Sequence, residues 1–311
     1  MSAVMKGILA AVASALALSC MGILGKLAFQ QGVDPLNLVT LRALIAFITL
    51  ATVLSVLRGR LPTIRIAQLP FFAMLGLIGI SLNYATFFLA LDHSTVSTAI
   101  SLLYTYPAFV MVGAVVFLGE AITIAKVTAL LLTAVGCFFV TGAHDPAALK
   151  LNVLAVAFGL AASVTKAAYT LLSKRALRRT DPWTTVLFAF GFGALFLACW
   201  TWPASILTVD LGWRAWLLIL AIAWVATLVG YSLFVLSLSY LEASRASIIA
   251  TLEPVAAIVL AALILGEAGS WPQFLGMALI LGGIVVLNVR KPPVSPRRSA
   301  AGTKLEPESA G

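Results

Sequence analysis

The chain has 311 residues, of which 62% are hydrophobic and 10% charged, with a formal net charge of +9. A soluble domain carries about 25% charged residues, so these charges are too few to cover a water-facing surface, and the mean hydropathy of +1.09 agrees. The basic excess does not point to nucleic acid, because Lys and Arg fall in short clusters between apolar runs, the pattern of cytoplasmic loops in a polytopic membrane protein.

A helix needs about 20 mostly apolar residues to cross the hydrocarbon core. Ten such runs follow in order: 5–27, 35–57, 68–90, 95–118, 123–142, 151–173, 182–203, 213–236, 243–265 and 271–289. The first, "MSAVMKGILAAVASALALSCMG", is long enough to span and matches a later segment of the repeat described below, so it reads as a membrane helix and not as a cleaved signal. The second starts at Asp34-Pro35 and the seventh at Asp181-Pro182. Cys20, Cys137 and Cys199 each lie inside an apolar run, without metal spacing or pairing, and read as packing residues.

Alternate loops differ in charge. Lys6, Arg58, Arg60, Arg65, Lys126, Lys174, Arg175, Arg178, Arg179, Arg245 and the tail cations lie on one side. Lys150 and Arg214 lie on the other, with Lys26 at a helix end. Both termini are therefore expected in the cytoplasm. Trp200, Trp202, Trp213, Trp216 and Trp271 fall at the opposite interface, and the polar, Pro-rich segment 291–311 is expected to be a disordered basic cytoplasmic tail.

The chain repeats itself. At one constant offset Asp34-Pro35 meets Asp181-Pro182, Tyr84 meets Tyr231, Ser97 meets Ser244, Pro107 meets Pro254, Leu118-Gly119-Glu120 meets Leu265-Gly266-Glu267, and Gly136 meets Gly283. The repeated unit holds five helices, an odd number, so the second copy starts on the opposite face. The expected fold is all-α, with ten transmembrane helices as two inverted five-helix repeats, 1–145 and 146–290, around a central cavity. Inverted repeats of this kind build secondary transporters, with the solute site near mid-membrane and helices interrupted there. Pro107 and Pro254 are the predicted helix breaks. Each removes an N–H and frees the carbonyl four residues earlier, Leu103 or Ala250. A plain structural kink is the alternative reading of either proline alone.

The segments "YTYPAFVMVGAVVFLGE" and "LEPVAAIVLAALILGE", together with "DPLNLVTLRALIAFITL", resemble the EamA branch of the drug/metabolite transporter superfamily, over residues 5–290. In the third segment Arg42 matches a basic residue often found in the second helix of that family. The resemblance implies a cavity lined by helices one to four and six to nine, with five and ten peripheral. It also implies transport of small solutes, amino acids among them, and in other members drugs, nucleotides or sugar derivatives.

Ionisable residues inside a membrane are candidate functional groups. Glu253 lies about ten residues, roughly 15 Å, into its helix. It reads either as a contact for a substrate amine, or a proton site, or as a structural partner for a buried cation. Lys166 reads as a carboxylate ligand, as the partner of Glu253, or as a snorkelling interfacial residue. Arg42, two turns from a helix end, reads as snorkelling or structural. The uncharged candidates are Ser19, Asn83, Tyr84, Tyr104, Tyr106, Ser163, Tyr169, Trp224 and Tyr231, a mostly aromatic set suited to a small amphipathic ligand. Helix packing is the alternative for any one of them. Glu120 and Glu267 read as surface caps or framework.

The favoured function is a secondary transporter in a bacterial inner membrane, exporting amino acids, aromatic or broad-range, by alternating access. Export of drugs, nucleosides or sugar derivatives is the alternative. A channel or intramembrane enzyme fits less well. His93 and His144 lie in loops, no HExxH occurs, and "GILGKL" at Gly22 lacks the spacing and Ser/Thr of a phosphate loop. The expected partners are a small-molecule substrate and membrane lipid, with no cofactor, no metal and no nucleic acid. Whether the protein is a monomer or a homodimer is left open.

Overall fold

The computed structural model describes residues 1–146, 152–201, 211–265 and 270–289. The basic tail and Glu267 lie outside them, as do Lys150 and Trp202. The described chain is helical. Nine helices among these residues are long and apolar enough to cross a membrane: α1 (Ala3–Gln30), α2 (Pro35–Arg58), α3 (Ile66–Asp92), α4 (Val96–Leu118), α6 (Val153–Ala176), α7 (Pro182–Trp200), α8 (Trp213–Tyr240), α9 (Ala243–Ile264) and α10 (Trp271–Val289). Between them lies α5 (Ile124–Val140), apolar but only 17 residues long.

Local chemistry sets the helix ends. Asp34 caps α2, accepting from the Leu36 and Asn37 amides, with Pro35 at the first helical position. Asp181 does the same for α7, accepting from the amides of Trp183 and Thr184. A carboxylate satisfies donors left free by the first turn, and proline there loses no bond. Thr95, Thr123 and Asn152 cap α4, α5 and α6. Gly59 and Gly119 end α2 and α4 with φ of +66° and +71°, a backbone state costly for any residue with a Cβ.

Two helices break internally. α4 runs to Leu103, turns at Tyr104 and Thr105, and restarts at Tyr106 with Pro107 in its first turn. α9 runs to Ala250, turns at Thr251 and restarts at Leu252, just before Pro254. Both breaks coincide with the proline positions singled out above. Wider π-helical turns occur at Leu77–Leu82 in α3 and Ile222–Val229 in α8.

The helices pack α1 on α8, α3 on α6, α2 on α7, and α5 on α10. Small residues permit the close approaches. A Cβ at Gly136 would meet the Gly276 carbonyl oxygen at 2.7 Å, and one at Gly283 would meet the Ala129 oxygen at 3.0 Å. Such contacts supply van der Waals packing where lipid offers no hydrophobic drive between helices. Polar ties cross the interior as well: Ser14 Oγ donates to Gly230 O at 2.7 Å, and Ser81 Oγ to Gly193 O at 3.0 Å. The outward faces carry exposed apolar side chains such as Val116, Phe117, Leu131, Leu263 and Val285. A surface so apolar belongs in lipid.

Candidate functional site

A cavity of about 860 Å³ lies among α1, α2, α3, α4, α6, α8 and α9. Its wall extends to the end opposite Met1, where Phe29, Gln30 and Val96 are exposed, which makes that end its mouth. Its wall continues inward to the two helix breaks, at Leu103, Tyr104 and Tyr106 on one side and Ala250 and Glu253 on the other. None of the lining residues comes from α5, α7 or α10. The family resemblance had implied that α7 would line the cavity; it packs instead behind α2 and α3.

Two charged groups form the inner pole. Lys166 Nζ on α6 lies 3.9 Å from Glu253 Oε2 on α9. Both side chains are mostly covered, at 23% and 18% exposure. The ammonium also sits over the rings of Tyr106, at 4.8 Å, and Tyr104, at 5.5 Å, where each ring face attracts a cation. The Tyr106 hydroxyl donates to Ser247 O at 3.2 Å, bracing α4 against α9.

An aromatic cluster forms the second pole. Tyr84 and Tyr231 meet hydroxyl to hydroxyl at 3.1 Å. Tyr231 stands edge-on to Tyr169 and Phe190, at 5.5 and 5.2 Å. Arg42 lies over the Tyr84 ring, 4.2 Å from its centroid, and its Nη1 donates to Met21 Sδ at 3.0 Å. Arg42 is 3% exposed and lines the cavity. It is thus buried among side chains and does not snorkel.

The cavity brings together Glu253, Lys166, Asn83, Tyr84, Tyr104, Tyr106, Tyr169 and Tyr231. Asn83 also spends its amide on Ala162 O and Thr165 Oγ1, tying α3 to α6. Ser163, Trp224 and Ser19 are not part of the wall. Ser163 bonds Thr105 at 2.9 Å, Ser19 bonds its own helix at Leu16 O, and Trp224 donates to Thr49 on the outside of the bundle. Trp224 follows the lining residue Ile222 by two positions, about half a turn, and is exposed where Ile222 is buried, so it faces away. Sequence reasoning did not select Arg42, Met21, Phe87 or Phe88, which do line the cavity. The available signal for Arg42 was its charge within an apolar run.

The end near Met1 is closed by polar ties. Glu120 accepts from the Ala243 and Ser244 amides at 2.6 and 3.2 Å, and from the Ser244 hydroxyl. It caps the start of α9, not its own helix, and its side chain is 8% exposed, so the surface position expected for it is corrected. Lys126 bridges Glu120 at 3.5 Å and Glu242 at 2.9 Å. Lys174 donates to Leu238 O and Leu241 O. Arg58 and Asp181 pair at 3.1 Å.

The model of the EamA-like transporter family matches residues 5–142 and again 153–289. The chain belongs to the EamA-like transporter family. As an EamA-like transporter it is a multi-pass membrane protein, and the relatives it resembles are named uncharacterized transporters. It is 29% identical over 262 residues to an uncharacterized transporter of Archaeoglobus fulgidus, covering 83% of this chain and 90% of that one. It is 24% identical over 297 residues to one of Clostridium kluyveri, covering 90% and 92%. It is 24% identical over 240 residues to the uncharacterized inner membrane transporter YicL of Salmonella typhimurium, covering 76% and 77%. A crystal structure superposes with a TM-score of 0.75 at 19% identity, over 91% of this chain and 96% of the other, a likeness of fold.

Proposed function

We propose that this EamA-like transporter is a secondary carrier that exports small organic solutes, amino acids in particular, by alternating access. The observation that carries the reading is the cavity: open at one end, tied shut at the other by Glu120, Lys126 and Lys174, and holding the Lys166–Glu253 pair at its inner pole. A solute-sized space reached from one side only is what one state of an alternating carrier requires.

On this reading the chain has ten membrane helices in two inverted repeats, 1–145 and 146–290, with α5 as the fifth. The packing supports it. Contacts α1–α8 and α3–α6 are equivalents under the repeat, and α2–α7 and α5–α10 are each their own equivalent. The Gly136–Gly276 approach likewise repeats as Gly283–Ala129. With both termini cytoplasmic, as the loop charges favour, the cavity faces outward, in the inner membrane of a bacterium. A mixed aromatic wall with an acidic and a basic group suits an amphipathic solute such as an aromatic amino acid.

The test is uptake of labelled amino acids, from aromatic, aliphatic, acidic and basic classes, by proteoliposomes of the purified protein. Saturable uptake above empty vesicles supports the proposal. Absence of uptake across the panel sinks the amino-acid reading and turns the search to drugs, nucleosides and sugar derivatives.

A further inference from the structure

Among the charged groups of the cavity, Arg42 stands apart. Lys166 has Glu253 as its counter-charge. Lys26 lies exposed near the mouth. Arg42 is buried to 3% exposure, yet no carboxylate of the described residues comes within 4 Å of it. Its hydrogen bond goes to a thioether sulfur, a weak acceptor, and its other contact is a ring face. A guanidinium has five N–H donors in a fixed fork, so most of its donor capacity is unspent, and the side chain borders open space.

A buried cation without an anion is costly in a membrane, and such residues mark solute pathways. The fork matches a carboxylate with two parallel bonds, which an ammonium cannot do. Tyr84 beneath the guanidinium and Met21 beside it fix the plane of the fork. The repeat equivalent of Arg42 is Ala189, on α7, which does not line this cavity. The anion-binding capacity therefore belongs to one side of the cavity alone.

We propose that Arg42 is the anion subsite of the cavity, that it takes the carboxylate of a small organic acid or amino acid whose apolar body lies against Tyr84, Tyr231 and Phe87, and that Lys166 does not take it. This rests on the transport reading and deepens it: a solute without an anionic group leaves Arg42 uncompensated and is discriminated against.

The test reads Arg42 without needing transport. Purified protein in detergent is treated with phenylglyoxal, which modifies accessible arginines, and the Arg42 adduct is followed by peptide mass spectrometry. The probes are L-phenylalanine and 3-phenylpropionate, each beside its amide. The expected result is labelling at Arg42 slowed about tenfold or more by the acids and little by the amides, a gap equal to about one charge-assisted bidentate contact. Equal labelling with acid, amide or no addition overturns the subsite, as does failure of Arg42 to react at all, because a closed-off guanidinium cannot receive a solute. The uptake assay runs beside it. Uptake without protection keeps the carrier and removes the subsite. Protection without uptake keeps the subsite and removes the amino-acid carrier.

Discussion

The hydroxyls of Tyr84 and Tyr231 lie 3.1 Å apart, and the two residues are 147 positions apart in the chain, the spacing of the internal repeat. Equivalent residues of two copies touch only where a two-fold axis passes between them. On the inverted-repeat reading, that axis runs through this hydrogen bond and across the cavity wall. Removing one hydroxyl leaves the other without its partner. Tyr84→Phe and Tyr231→Phe are each expected to destabilise by about 0.5–1.5 kcal/mol. The double variant should lose no more than the worse single, since no orphaned phenol remains. Thermal unfolding in detergent checks this, and strict additivity would contradict the pairing.

The Lys166–Glu253 pair gives a second non-additive case. Taking one member leaves a largely buried charge uncompensated, whereas taking both leaves none. Lys166→Met and Glu253→Gln should each lower the unfolding midpoint. The double variant should recover part of that loss, with a coupling of about 1–3 kcal/mol. A coupling near zero would mean that the 3.9 Å approach carries no energy.

Glu120 holds the first turn of α9 from another helix. Glu120→Ala should free the Ala243 and Ser244 amides, and the loss of a cap is worth about 1–2 kcal/mol. Hydrogen exchange at these two amides is then expected to accelerate about five- to thirtyfold. Unchanged exchange there would show that the closed end does not depend on this carboxylate.

Asp181 supplies a pH dependence. Burial raises its pKa, but hydrogen bonds from Arg58 and Thr184 outweigh that and lower it from 3.8 to about 2. A carboxylate more acidic in the folded state stabilises the fold above its unfolded pKa and ceases to as the pH falls through the folded one. The unfolding midpoint of Asp181→Asn should therefore lie below wild type near neutral pH. The gap should narrow between about pH 4 and 2 and close below that. A gap constant across this window would contradict the Arg58 tie.

Much of this architecture is legible in the chain because its signals are local. Asp34-Pro35 and Asp181-Pro182 announce helix starts through capping chemistry that needs no tertiary partner. Pro107 and Pro254 announce breaks for the same reason. The site is less legible because it depends on which face each helix turns inward. Arg42 has the linear position of a snorkelling residue, and only the tertiary approach of Met21 from α1 and Tyr84 from α3 covers it. Ser163 lies three residues before Lys166, yet it is claimed by Thr105 of α4. Glu120 looks like the end of its own helix, and its partner is more than a hundred residues away.

The two helix breaks have an evolutionary consequence. Leu103, Tyr104, Ala250 and Glu253 border the cavity where α4 and α9 are interrupted, and an interrupted helix leaves main-chain carbonyls without their usual N–H partners. Main-chain groups are the same for every residue, so point mutation cannot remove them. Arg42, Tyr84, Phe87 and Glu253 can each be exchanged by a single codon change. If the cavity holds the solute as proposed, a lineage carrying this scaffold can move from one solute to another by altering a few side chains, while a hydrogen-bonding capacity written into the backbone passes unchanged to every descendant.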